Sequence, residues 1–302
     1  MYDVIIIGGG PAGLSAALIL GRCRRRVLVC DAGEPRNAAS HGLHGFLTRD
    51  GTEPLELLRL GREQLKLYDT VEFRQVEVVD ALCLEDSFEV VVRDGTRLSS
   101  RKLLLATGVV DQLPEIEGIR TFYGRSVFHC PYCDGWEMRD QPLAVYGQGK
   151  LGYELALELT LWSKDLILCT DGPAELDREA LERLSRNGIR VRQERIARLE
   201  GTNDRLERIV LTDGDWIARR ALFFNTEQHL RSPLPAKLGC ELTRTDNATT
   251  VVETGSHEKT NVPGLYVAGD ASRNVQLAII AAAEGASAAF AINTELLKED
   301  LP

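Results

Sequence analysis

The order of apolar and polar positions reads as an alternation of short buried strands and helices. Residues 4–7 (VIII) are an unbroken apolar run, the pattern of a strand covered on both faces in a parallel sheet. A helical pattern follows over residues 14–20, and RVLVCD (26–31) reads as a second strand. The same succession returns later, with a strand at 143–146, a helix over 153–161 and a strand in DLILCTD (165–171). Further strands are predicted in KLLLATGVV (102–110) and VPGLYVAGDAS (262–272), and a helix rich in small residues over 275–297. The segment 36–68 begins with small and polar residues and turns helical after Pro54.

The turns between these elements carry the chemistry. Gly8, Gly10 and Gly13 hold the G-x-G-x-x-G spacing between the first strand and helix, and Asp31 closes the second strand. Strand, glycine turn, helix, strand and acid together make a dinucleotide site. The helix N-terminus receives the pyrophosphate, and the acid accepts from ribose hydroxyls. Gly147, Gly149 and Gly152 repeat the spacing, and the next strand ends near Asp171. Lys150 and Tyr153 are bulky beside this second turn, so it reads either as a second nucleotide site or as such a fold without its ligand. Gly147 follows Gly8 by 139 residues, a domain-scale duplication. Ala106, Thr107 and Gly108 end one further strand and Gly269 and Asp270 a late one, where a carboxylate can meet a ribitol or ribose hydroxyl. The last two elements follow the second fingerprint yet complete the first domain. The fold class is therefore α/β, with two Rossmann-like domains, the second inserted into the first. The expected bounds are 1–112 with 231–302, and 113–230.

FHCPYCDGWE (128–137) sets Cys130 and Cys133 around Pro131 and Tyr132. It can be half a zinc site, a redox disulfide or two neighbouring thiols. No second CxxC exists, and His41, His44, His229 and His257 lack ligand spacing to His129, so no metal is expected. Thiol–disulfide exchange needs an attacking thiolate and a nearby resolving thiol. A CxxC opening a helix supplies both, and a helix N-terminus lowers thiol pKa. Pro131 suits the first turn. Asp134 can relay a proton or balance the helix dipole, and Trp136 is expected to pack. The remaining cysteines, Cys23, Cys30, Cys83, Cys169 and Cys240, are expected to be small buried hydrophobes. The run Arg22, Arg24, Arg25 and Arg26 is expected in solvent at a helix C-terminus, and His41 and His44 as loop hydrogen-bonding residues.

With 302 residues, 44% of them hydrophobic, the chain can bury two cores. A net charge of −9 argues against a nucleic-acid partner. No run approaches the length that spans a bilayer and MYDVIIIGGG lacks a signal-peptide pattern, so no membrane association and a cytoplasmic location are expected.

GGGPAG at the start, the ATG stretch, CxxC-Asp-Gly between two glycine fingerprints and a late Gly-Asp before an Ala-rich helix resemble the low-molecular-weight thioredoxin reductases, among the flavin disulfide reductases. The resemblance covers essentially the whole chain. It implies FAD in the first domain, held by Gly8, Gly10, Gly13, Asp31, Ala106, Thr107, Gly108, Gly269, Asp270 and Gln276, and NADPH in the second. It implies that Cys133 meets the isoalloxazine, Cys130 attacks the external disulfide, and Asp134 is the acid–base group. It also implies a homodimer and a thioredoxin-like protein or small disulfide as partner. Two departures bear on the donor. The family reads the 2′-phosphate with a His-Arg-Arg run, where this chain has CTDGPAELDREAL with Asp171. ALFFNTEQHL has Glu227 at a turn where the family has glycine. NAD(P)H use is therefore left open beside three alternatives. One is a relative served by a ferredoxin-type donor or a second flavin. Another is a small-molecule dithiol oxidase, and the third a non-catalytic FAD-binding redox sensor.

Overall fold

In the computed structural model, residues 1–245 and 249–301 are described; 246–248 and 302, within the expected first domain, lie outside them. The chain divides into two units. One comprises Met1–Ala38, Gly45–Val110 and Gln228–Pro302; the other comprises Ala39–His44 and Asp111–Glu227.

The first unit is built on the strand Tyr2–Ile7, flanked in parallel by Val27–Cys30 and by Arg97–Leu105. Val71–Arg74 extends the sheet in parallel beyond Val27–Cys30. On its edge away from Tyr2–Ile7, the nine-residue strand Arg97–Leu105 serves two partners. Its first half pairs antiparallel with Phe88–Val92, and its last three residues pair in parallel with Leu265–Val267. Side-chain alternation splits the apolar run into two cores. Val4 and Ile6 pack with Ala16, Ala17 and Leu20 of the helix Pro11–Arg22 and with Ala288, Ala289 and Ile292 of Ala278–Asp300. Ile5 and Ile7 face Leu28, Val90, Leu103 and Val267. The two helices pack backbone against side-chain-free backbone: a β-carbon on Gly285 would sit 1.9 Å from the Ala12 carbonyl oxygen. Arg25, expected in solvent, instead donates to Asn293 Oδ1 at 2.8 Å and Asp300 Oδ2 at 2.5 Å. The C-terminal helix brings those acceptors over the end of the first.

The second unit has a parallel sheet ordered Arg190–Arg192, Leu166–Cys169, Leu143–Tyr146, Ala221–Phe224, Val127–Phe128. A three-stranded antiparallel sheet, Ile196–Thr202, Arg205–Leu211 and Trp216–Ala218, adjoins it. Ala144, Ile167, Leu222 and Phe224 share a core with Leu199 and Ile209 of that sheet. Residues 39–44 join this unit through polar contacts that no periodicity marks. His41 meets Arg125 Nη1 at 2.7 Å and Asp204 at 3.5 Å, and His44 lies 3.6 Å from Glu137. Buried Cys30, Cys169 and Cys240 fit the packing expectation; Cys23 and Cys83 do not, being exposed at the ends of a helix and a strand. No helix among the described residues is long and apolar enough to cross a membrane.

Candidate active site

Register brings the first set of predicted residues to one sheet edge. Ile7 pairs with Cys30 and with Leu105, and Leu105 pairs with Val267. Gly8, Asp31, Ala106 to Gly108 and Gly269 to Asp270 therefore leave the same carboxyl edge, where ligands of open α/β sheets bind. The glycine turn is built by close approach. Gly8 has φ +111°, and a β-carbon there would lie 2.2 Å from the Ala106 oxygen; one on Gly13 would lie 1.9 Å from the Gly8 oxygen. Gly10 is different, because its absent side chain faces open space, with nothing within 4 Å among the described residues. The helix starts at Pro11 with no side-chain cap on Gly10, leaving unpaired N–H groups. Asp31 Oδ1 accepts from the Gly9 N–H at 3.0 Å, which ties the acid to the turn, and Arg62 stands 3.9 Å from its other oxygen. The buried Thr107 hydroxyl finds no partner among the described residues. An open glycine face, an uncapped helix end and an orphaned hydroxyl fit a dinucleotide with its diphosphate on the helix.

Asp270 sits in a network that the sequence reading missed. Arg36 Nη1 donates to Asp270 Oδ2 at 2.8 Å and to Gln276 Oε1 at 2.6 Å, and Gln276 Nε2 donates to Gln228 Oε1 at 2.7 Å. Gln276 precedes the C-terminal helix, which starts at Ala278. Buried Glu284 fixes the turn, accepting the Gly269 N–H at 2.8 Å and the Arg273 Nε–H at 2.6 Å. Burial, the larger influence, raises the Glu284 pKa against the lowering by these bonds. A Glu seven residues into an Ala-rich helix is the one local signal for it.

In the second unit Cys130 and Cys133 form a disulfide. Cys130 follows the edge strand Val127–Phe128 and caps the single helical turn Pro131–Asp134, its sulfur accepting from the Cys133 N–H at 3.1 Å. Gly135 lets that turn press on Trp162, since a β-carbon there would come within 2.8 Å of the indole. Asp134 is pushed up to about 7, by burial first and the Glu137 charge second. It is thus poised to take or give a proton near neutral pH. The buried thiols Cys30 and Cys169 are pushed by burial to about 11 and about 12, which leaves them out of thiolate chemistry. Trp136, expected to pack, is 64% exposed, with the Arg139 guanidinium 4.2 Å over its ring. Tyr132 is exposed as well.

The second glycine turn is built like the first but covered. Gly152 packs on the Gly147 oxygen, which a β-carbon would approach to 2.4 Å. The Gly149 N–H donates to the Ala174 oxygen at 3.0 Å, so the loop after Leu166–Cys169 folds back across the turn. Glu175 places backbone and carboxylate oxygens 4.0 Å from where a Gly149 β-carbon would be. Asp171 is engaged within its own unit: Oδ1 accepts the Ile196 N–H at 2.7 Å, and the Tyr146 hydroxyl donates to Oδ2 at 3.4 Å. Glu227 is not at a turn. Asn225 and Thr226 make the break, Asn225 Nδ2 reaching the Leu151 oxygen at 2.9 Å, and Glu227 opens the strand Glu227–Leu230, exposed.

The sequence profile of the pyridine nucleotide-disulphide oxidoreductases matches residues 2–285. The chain belongs to that family. The chain is similar to a "Probable thioredoxin reductase" of Arthroderma benhamiae, 31% identical over 334 residues, covering 99% of this chain and 81% of the relative. HlmI, known from its crystal structure, is 39% identical with a TM-score of 0.93 over 99% of this chain and 93% of its own. The oxidoreductase of Agrobacterium tumefaciens is 36% identical with a TM-score of 0.92 over 98% of both chains. Family, fold and the disulfide together make the chain a flavin-dependent disulfide oxidoreductase of the thioredoxin reductase type.

Proposed function

We propose that the chain passes electrons between FAD, held by the first unit, and the Cys130–Cys133 disulfide, and from there to an external disulfide or dithiol. The observation that carries this is the disulfide at a helical turn beside a carboxyl raised to about 7. When bound, FAD takes or supplies the electron pair. Gly10 and the Pro11 helix end would receive its diphosphate, Asp31 a ribose, and Asp270 with Arg36 and Gln276 the flavin side. Cys130 exchanges with the substrate, Cys133 with the cofactor, and Asp134 protonates or deprotonates the inner sulfur. The relative's name supports a thioredoxin-type disulfide as partner, and the resemblance supports a homodimer in the cytoplasm.

The covered second turn favours a second reading, in which electrons enter from a dithiol through Cys130 instead of from a nicotinamide. Anaerobic mixing of the yellow holoprotein with dithiothreitol, NADH and NADPH in turn separates the two. Bleaching by dithiothreitol alone supports the dithiol direction, and rapid bleaching by NADPH supports the reductase. No bleaching by any of the three leaves a redox-inert FAD protein and removes the proposal.

Two consequences are measurable at once. A β-carbon on Gly10 meets no described atom within 4 Å, so Gly10→Val places its bulk in the open face. The purified variant should therefore lose most of its FAD while its cofactor-free stability changes by no more than about 1 kcal/mol. Equal FAD content in variant and parent would place the diphosphate elsewhere. Asp134→Asn tests the raised carboxyl. The folded state holds this proton up to about pH 7, and the unfolded chain releases it near the ordinary carboxylate value. Native stability therefore falls as pH rises between those values. Asp134→Asn should raise the melting temperature at pH 8 and alter it little at pH 4. It should also abolish an inflection near neutrality in the pH profile of disulfide cleavage.

A further inference from the structure

The turn that carries Asp270 runs into Arg273, whose guanidinium gathers Thr254, Glu258 and Glu284 within the first unit. Nε donates to Glu284 Oε1 at 2.6 Å, in the C-terminal helix Ala278–Asp300. Nη1 donates to Thr254 Oγ1 at 2.9 Å and to the Ser272 oxygen at 3.1 Å, and Nη2 donates to Glu258. Glu258 and Glu284 are buried, at 6% and 8% exposure. A buried charge is costly unless paired, and here two acids close on one guanidinium. The backbone at Glu258 is strained as well. His257 and Glu258 are consecutive non-glycine residues with φ of +58° and +64°, a left-handed conformation that L side chains disfavour. His257 is seated on the C-terminal helix, its Nδ1 3.3 Å from Ser287 Oγ and its ring 6.1 Å from that of Phe290. Such strain persists only where surrounding contacts over-determine it, and it gathers at ligand clamps.

The cluster is continuous with the residues assigned to the flavin side. Glu284 Oε2 accepts the Gly269 N–H at 2.8 Å, and the Ser272 N–H donates to the Gly269 oxygen at 3.0 Å. Gln276 Nε2 donates to the Arg273 oxygen at 3.3 Å. Gln276 Oε1 accepts from Arg36 Nη1, which also donates to Asp270 Oδ2. Arg273 is thus bonded to its anchors through the side chain and to Gln276 through the backbone.

We propose that Arg273 is a positioning residue for the flavin end of the cofactor site, with Glu258 and Glu284 as its anchors. The clamp fixes the Arg273 carbonyl, the carbonyl orients Gln276, and Gln276 with Arg36 orients Asp270. This rests on the proposed placing of the flavin side at Asp270, Arg36 and Gln276. Lysine cannot take the place of Arg273, because a point charge lacks the planar fork that serves Glu284 and Glu258 together.

The test is the rate at which FAD leaves the diluted holoprotein, followed by the rise in flavin fluorescence. Arg273→Lys should release FAD about tenfold faster than the parent, since bonds to charged partners are lost. Gln276→Ala should also speed release. In a Gln276→Ala background the effect of Arg273→Lys should shrink to about threefold or less, because the group through which it acts is already gone. A purely structural role of Arg273 would lower the melting temperature and let the two effects multiply. Far-ultraviolet circular dichroism reports that each variant is folded, and Glu258→Gln, which keeps the shape and removes the anchoring charge, carries the test if Arg273→Lys does not fold. An unchanged release rate in the folded variants, or the same factor in both backgrounds, overturns the proposal while leaving the flavin placement standing. Unchanged release in Gln276→Ala alone removes that placement, and the proposal with it.

Discussion

Cys133→Ser abolishes turnover together with any thiolate–flavin charge-transfer absorbance, whereas Cys130→Ser abolishes turnover and leaves Cys133 free to give that absorbance with oxidised flavin. Both losses follow because neither sulfur alone can close or resolve a disulfide, and no other thiol replaces them. Cys30 and Cys169 are buried, with thiols pushed to about 11 and about 12, and burial also raises Cys240. The exposed pair, Cys23 and Cys83, stand at the ends of a helix and a strand of the first unit. The difference between the mutants comes from the assigned order, in which Cys130 meets the substrate and Cys133 the cofactor. Visible spectra of the two purified variants and steady-state rates with a small disulfide or dithiol check it. The opposite spectral pattern would mean that the two roles are reversed.

The second large effect concerns the donor. Isothermal titration should show NADPH binding no better than NADH, and neither at micromolar strength. Three features act in the same direction. The Gly149 N–H, which would face a diphosphate, is already bonded to the Ala174 oxygen, so binding must first break that contact. Glu175 brings a carboxylate over the same turn, and two like charges about 4 Å apart repel by roughly 4 kcal/mol at an effective dielectric of about 20. Each missing Arg partner for the 2′-phosphate forfeits a charge-assisted bond of about 1.5 to 3 kcal/mol. Glu227, exposed and in a strand, adds nothing to this case. Asp171 contributes differently from the sequence expectation. Its carboxylate holds the Ile196 N–H, so Asp171→Arg should destabilise the protein instead of restoring NADPH binding. Micromolar, NADPH-selective binding would show that the covering loop opens, and would make an ordinary reductase of this chain.

What the sequence alone determined rests on local rules. Apolar runs at 4–7 and 143–146 mark strands because a parallel strand must hide both faces. Glycine at 8, 13 and 152 is demanded by backbone oxygens 1.9 to 2.4 Å from a missing side chain, and at 147 by the Gly152 backbone 3.0 Å away, so the spacing is visible without coordinates. Two cysteines separated by two residues can bond within one helical turn, and they do. What only the tertiary structure decided depends on residues distant in the chain. Arg36 meets Asp270 across 234 positions, and Tyr123 joins Asp111 to His129 across a strand, a turn and a short helix. No periodicity encodes such pairs, because they arise where separate elements end at one edge. The two glycine turns show the limit most clearly. Their spacing is the same, yet Gly10 faces open space and Gly149 is bonded beneath its own loop. The motif specifies how a strand hands over to a helix; whether the N–H groups remain free for a phosphate is settled by how the next loop packs.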